Sequence, residues 1–115
     1  MAPRCIRILA TGGTIAGRGG SAVGRAYRPG QIGIDQLLAE AAALGLDAAC
    51  EAREIAQVGS QDIGWAEWSA LHRETEAALA DPAVCGIVIT HGTDTAEETA
   101  FLLDLTLPAG AGCWW

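Results

Sequence analysis

The sequence predicts an α/β fold, a parallel sheet with flanking helices, and three observations carry that prediction. Residues 5–10, 47–56 and 84–90 read as strands. The segments 34–44, 65–79 and 97–105 read as helices, with apolar residues three and four apart. Each strand gives way to a polar loop that contains glycine. Strands that alternate with helices argue for parallel pairing through right-handed crossovers.

The first strand, Cys5 to Ala10, ends at Thr11-Gly12-Gly13-Thr14-Ile15-Ala16-Gly17. From Arg18 to Gln31 runs a long loop with Gly19, Gly20, Gly24 and Gly30. Loops of that length inside a compact domain are usually lids or disordered segments. Tyr27, the one tyrosine of the chain, lies in it. Two roles suit it equally: closing over a ligand, or tacking the loop to the body. Next, Ile34 to Leu44 reads as a helix with Leu37, Leu38, Ala41 and Leu44 on one face, stopped by Gly45. The second strand, Asp47 to Ala56, alternates weakly and leads to the polar loop Gln57-Val58-Gly59-Ser60-Gln61-Asp62.

Trp65 to Leu79 is expected to be a helix with the stripe Trp68, Leu71, Thr75, Ala78 and Leu79. His72 falls at the edge of that stripe and is given no functional role. Asp81-Pro82 ends the helix. The third strand, Val84 to Thr90, is followed by His91-Gly92-Thr93-Asp94-Thr95. Gly92 lets the backbone turn sharply. Thr95 with Glu98 forms a capping-box pattern, so the last helix starts there and runs from Glu97 to Leu105. A cap needs one oxygen, and that leaves His91, Thr93 and Asp94 unexplained by capping.

Composition narrows the function classes. The chain has 115 residues, half of them hydrophobic, enough for one domain with a modest core. Net charge is −7, and all seven basic residues are arginine. No basic tract exists to hold nucleic acid or an anionic membrane. The four cysteines, Cys5, Cys50, Cys85 and Cys113, make no CxxC motif. All four are read as reduced thiols, with Cys5 and Cys85 expected in buried strands. Met1 to Arg4 runs straight into the first strand, leaving no room for a signal peptide, and no apolar run is long enough to span a bilayer. A soluble cytoplasmic protein is the expectation.

In a parallel sheet the three loops leave the same edge. That gathers Thr14, Ser60, Gln61, Thr93 and Asp94 around one crevice, the usual place for a ligand in such sheets. A dinucleotide fingerprint needs GxGxxG, which Gly12, Gly13 and Gly17 do not fit. A P-loop needs a lysine, and the chain has none. Hydroxyl chemistry remains. A threonine is a weak nucleophile and needs an activating base. His91 is one candidate base, but a locally hydrogen-bonded residue at a strand end is the preferred reading. The Asp94 carboxylate suits a substrate ammonium group.

Ala10-Thr11-Gly12-Gly13-Thr14-Ile15-Ala16-Gly17 and Thr90-His91-Gly92-Thr93-Asp94-Thr95-Ala96-Glu97-Glu98-Thr99-Ala100 closely resemble the two signature motifs of the bacterial-type L-asparaginase family. Gly59-Ser60-Gln61-Asp62 is similar to a third segment, in the expected order. The resemblance runs from the first strand to Pro108 and makes the fold the N-terminal part of the asparaginase large domain. It implies hydrolysis of the side-chain amide of L-asparagine to aspartate and ammonia, with some members also taking L-glutamine. It implies Thr14 as the nucleophile and Tyr27 as the lid residue that helps activate it. Ser60 and Gln61 match residues that hold the α-carboxylate, and Asp94 matches the residue that binds the α-ammonium. Thr93 matches the second catalytic threonine, paired with Asp94 and a downstream lysine. The family implies a small-molecule substrate, no cofactor, no metal, and a homo-oligomer for full-length relatives.

The sequence also departs from that family. Members are considerably longer and carry a second, smaller domain, and the catalytic lysine would lie beyond Leu107-Pro108. Residues 1–108 are therefore read as a partial asparaginase N-terminal domain. Residues 109–115, Ala-Gly-Ala-Gly-Cys-Trp-Trp, are read as a non-family tail, truncated or out of frame. The fragment alone is expected to be inactive. The alternative function is a binding-only module that holds asparagine or aspartate without turnover, and a third class is a structural or oligomerisation fragment.

Overall fold

The computed structural model describes residues 5–12, 18–19, 27–28, 34–45 and 49–108. The elements in order are β1 (Cys5–Gly12), β2 (Arg18–Gly19), β3 (Tyr27–Arg28), α1 (Ile34–Ala43), β4 (Cys50–Val58), α2 (Trp65–Ala80), β5 (Val84–Thr90) and α3 (Ala96–Thr106). A 3-10 turn, Ser60–Asp62, links β4 to α2.

The main sheet has the order β4-β1-β5, so the first strand lies in the middle. Both pairings are parallel. Ile6 faces Cys50 and Ala10 faces Glu54 on one side, while Ile6 faces Gly86 and Ala10 faces Thr90 on the other. Parallel strands of this kind need crossovers, and the helices supply them. This is the expected α/β architecture.

Period-two alternation decides which side of the sheet is the core. Leu9, Ile87 and Ile89 pack with Leu71 and Ala78 of α2 and Leu103 of α3, and Ile55, Val84 and Leu107 close the margins. Leu71, Thr75 and Ala78 recur at helical spacing and are buried together. Each fully buried leucine contributes about 1.5–3 kcal/mol relative to exposure. The other side is thinner, and Val88 remains 40% exposed there.

Several boundaries and environments differ from the sequence reading. β1 runs on through Thr11 and Gly12, because Gly12 still pairs with Val58 across an irregular step. The glycine-rich loop contains the small antiparallel pair β2–β3, which sets Gly19 opposite Tyr27. α1 ends at Ala43, and Leu44 sits in the following turn at 90% exposure rather than on a buried face. Gly45 does terminate the helix, with φ of +100° and its N–H donating to Ala42 O. β4 begins three residues later and ends two residues later than expected. Leu79 lies at the solvent margin of its stripe, 36% exposed. Cys85 is exposed and Cys5 half-buried, so the expectation that both are buried is corrected. Cys5, Cys50 and Cys85 are free thiols, and Cys113 lies outside the described residues.

The capping expectation for α3 is also corrected. Thr95 is the N-cap residue but makes no side-chain cap bond. Its hydroxyl donates instead to Ser60 O at 2.9 Å. A carboxylate cap appears at α2, where Glu67 Oε2 accepts the Gly64 N–H at 2.9 Å. Glycine has no side chain to return the second bond of a capping box.

Arg7 is the surprise of the core. It interrupts an apolar strand and is only 6% exposed. Its guanidinium pairs with Glu51 at 2.6 Å and with Asp81 at 3.4 Å. These partners hold its pKa above the ordinary arginine value, the hydrogen bond to Glu51 contributing most.

Candidate active site

The site is assembled at the carboxyl end of the sheet. Thr11 Oγ1 donates to Thr90 O at 2.7 Å, tying the last residues of β1 and β5 together. Gly12 then turns the chain with φ of +94°, a backbone conformation that favours glycine. The residues that follow, Gly13 to Gly17, lie outside the described residues, and with them the expected nucleophile Thr14. Tyr27 is placed by its backbone on β3.

The loops after β4 and β5 are stitched to each other through Ser60. The 3-10 turn forms because Asp62 N–H donates to Gly59 O at 2.9 Å and Ile63 N–H to Ser60 O at 3.2 Å. Ser60, 3% exposed, uses both of its oxygens on the neighbouring loop. Its Oγ accepts the Asp94 N–H at 3.1 Å, and its carbonyl accepts the Thr95 hydroxyl. The structure therefore brings Ser60, Gln61, Thr93 and Asp94 to one place.

Gln61, Thr93 and Asp94 are exposed there. The Gln61 amide folds over Gly59, where a side chain would collide with it. Asp94 precedes α3, whose first turn holds Glu97 and Glu98. Three carboxylates in five residues give the mouth of the site a negative field suited to a cation.

His91 is more embedded than the sequence suggested. Its Nδ1 donates to Gly92 O at 2.7 Å. Its Nε2 lies 2.8 Å from Thr99 Oγ1, and that oxygen also accepts the Trp68 indole N–H at 2.9 Å. Trp68 and Thr99 were read as stripe and motif residues. Trp68 lies 31 residues before Thr99, and no local pattern signals that contact.

Among the described residues a cavity of about 420 Å³ lies between α2 and α3. Trp65, Trp68, Ser69, His72, Leu102 and Thr106 line it. None of the expected site residues does. His72 meets Thr106 O at 3.4 Å there.

The asparaginase N-terminal domain model matches residues 5–111. A probable periplasmic L-asparaginase of Haemophilus influenzae is 46% identical over 102 residues, covering 89% of this chain and 29% of its own length. L-asparaginase 2 of Escherichia coli is 43% identical over 89% of this chain and 29% of its own. A glutaminase-asparaginase of Pseudomonas fluorescens is 48% identical over 85% of this chain and 27% of its own. The crystal structure of a probable cytoplasmic L-asparaginase from Campylobacter jejuni superposes with a TM-score of 0.77 at 38% identity. It covers 87% of this chain and 31% of that one. The fold and the matched family model thus define an α/β domain of the asparaginase N-terminal kind. The chain belongs to the asparaginase family and corresponds to its N-terminal domain. It spans less than a third of the length of these relatives.

Proposed function

We propose that this chain is the substrate-binding and nucleophile-bearing part of an amidohydrolase that converts L-asparagine to L-aspartate and ammonia. The observation that carries the reading is the joining of two loops at Ser60. That contact sets a buried hydroxyl against the backbone N–H of Asp94, whose side chain is exposed. Asparagine is a zwitterion with a neutral amide. It needs an anion for its ammonium, donors for its carboxylate, and a nucleophile beside the amide. In this proposal Asp94 binds the ammonium, while Ser60 and Gln61 donate to the carboxylate. Thr14 Oγ attacks the amide carbon, with Tyr27 assisting; the C–N bond breaks and ammonia leaves, and water then cleaves the resulting ester to release L-aspartate and restore the Thr14 hydroxyl. Thr93, paired with Asp94, is the second catalytic threonine. Names of the relatives support this substrate class, and one of them also carries glutaminase in its name.

The chain has no lysine to complete the family scheme at Thr93. The proposal therefore includes that residues 1–108 work with a further part of the asparaginase fold. It also includes a homo-oligomeric assembly for the complete enzyme and a cytoplasmic location. The Campylobacter structure is named cytoplasmic, and Cys5, Cys50 and Cys85 are free thiols. Among the described residues no helix is long and apolar enough to cross a membrane.

The test joins residues 1–108 to the corresponding C-terminal part of the Escherichia coli relative and measures ammonia release from L-asparagine. Activity is expected in the chimera. Thr14→Ala should abolish turnover while leaving L-aspartate binding nearly intact, because the hydroxyl is needed for attack and not for holding the zwitterion. Asp94→Asn should weaken binding of both amino acids by about tenfold or more, replacing a charge-assisted contact by a neutral one. Undiminished turnover in Thr14→Ala would remove that residue from the nucleophile role. A chimera that binds aspartate without releasing ammonia would favour a binding-only module.

A further inference from the structure

We propose that Thr99, backed by Trp68, is a positioning residue that holds His91 in one tautomer and thereby braces the turn carrying Thr93 and Asp94. The argument starts from donors and acceptors. A peptide carbonyl offers only lone pairs. With Gly92 O 2.7 Å away, Nδ1 of His91 must carry the ring proton. In the neutral imidazole Nε2 is then the lone-pair nitrogen. Thr99 Oγ1, 2.8 Å from Nε2, has to donate to it. That uses the only proton of the Thr99 hydroxyl. The indole N–H of Trp68 can only donate, and it fills a remaining lone pair of the same oxygen at 2.9 Å.

The chain of donors therefore runs one way, from Trp68 through Thr99 to His91 and on to the Gly92 carbonyl. Each link fixes the next. Thr99 is fully buried, so water does not compete for its hydroxyl. A β-branched side chain in a helix also has few rotamers open to it. The imidazole becomes a strut from α2 and α3 to the backbone immediately before Thr93. On the far side of that turn the Asp94 N–H is held by Ser60 Oγ. The turn is thus pinned from two directions, one through His91 and one through Ser60. The hydrogen bonds make the strut independent of any ligand. Its value for presenting Thr93 and Asp94 to an amino acid rests on the functional reading above.

Long-range ¹⁵N–¹H correlation of the neutral imidazoles in this chain tests the tautomer directly. His91 is expected to carry its proton on Nδ1, whereas a proton on Nε2 would overturn the proposal. Amide hydrogen exchange at Asp94 tests the brace. Thr99→Val, which keeps the shape and loses the hydroxyl, should speed that exchange at least tenfold. Thr99→Ser should keep it within twofold, and amides of β1 should be unchanged in both. Equal Asp94 exchange in the valine and serine variants would overturn the positioning role. Should Thr99→Val fold poorly, Trp68→Phe removes only the first donor and is expected to speed Asp94 exchange about threefold, with no change counting against the proposal. L-Aspartate titration of the chimera described above, with residues 1–108 unsubstituted, separates the two claims. An Nδ1–H tautomer with a tenfold valine effect but no aspartate binding would sink the functional reading and leave the strut standing.

Discussion

Gly59 lies directly beneath the Gln61 side-chain amide. A Cβ at position 59 would sit 2.5 Å from Gln61 Oε1 and 2.6 Å from Nε2. The amide is the free end of a flexible side chain, so it can swing away at little cost. Gly59→Ala should change stability by less than about 1 kcal/mol. If Gln61 donates to the substrate carboxylate as proposed, the same change should lower L-aspartate affinity of the chimera about fivefold. Calorimetric titration checks this, and unchanged affinity would take Gln61 out of ligand contact. Arg7 poses the opposite case, a charge within the core. Its Nε is buried with no hydrogen-bond partner among the described residues, and the side chains of Glu51 and Asp81 are 48% and 37% exposed. Here pairing outweighs desolvation, since the pKa is raised, but an apolar side chain of similar size would carry no desolvation cost at all. Arg7→Met should leave stability unchanged or raise it by up to about 2 kcal/mol. Urea unfolding measures it, and a loss of similar size would show the ion pairs to be net stabilising.

At the scale of elements, the start of α2 depends on one carboxylate. Glu67 is held below the usual carboxylate range chiefly because it accepts the Gly64 N–H. The folded state therefore favours the ionised form. That contribution is complete above the unfolded pKa of about 4.3 and is lost as pH falls through the lowered folded value. Glu67→Gln should lower the melting temperature near neutral pH and reduce its further fall in acid, as thermal melts across that range would show. An acid sensitivity identical to that of the parent chain would mean that the cap carries no charge-dependent stability. The sequence made some of this architecture legible and hid the rest for physical reasons. The strand over 84–90 was readable because its apolar run ends at glycine and threonine. The second strand was displaced because Glu51, Arg53 and Glu54 are exposed and blur its alternation. Thr95 was misread as a side-chain cap because its acceptor, Ser60 O, lies 35 residues away. Local spacing identifies a hydroxyl near a helix start but not the partner that claims it. The loops that gather Ser60, Thr93 and Asp94 were foreseeable, because a parallel sheet sends all of them to one edge.

For the whole molecule, the pairing β4-β1-β5 leaves the outer side of β5 without a partner strand among the described residues. Val88, Phe101 and Leu105 are 40%, 63% and 66% exposed, and Trp65 is 74% exposed. Open edges with apolar flanks pair with other chains. The 115-residue chain by itself should migrate as oligomers on size exclusion and release little ammonia from asparagine. A monomer with substantial turnover would refute that expectation. The placement of β1 at the centre of the sheet also has a consequence for biosynthesis. Of these three strands β1 is made before the others, and it meets β4 only 44 residues later, at Arg7 and Glu51. It meets β5 79 residues later, at Thr11 and Thr90. At translation speeds of about 5–20 residues per second, roughly 4–16 s pass before its second neighbour has been made. Throughout that interval Ile6, Ile8 and Leu9 belong to a nascent apolar strand with at least one side unpaired, a segment suited to holding chaperones.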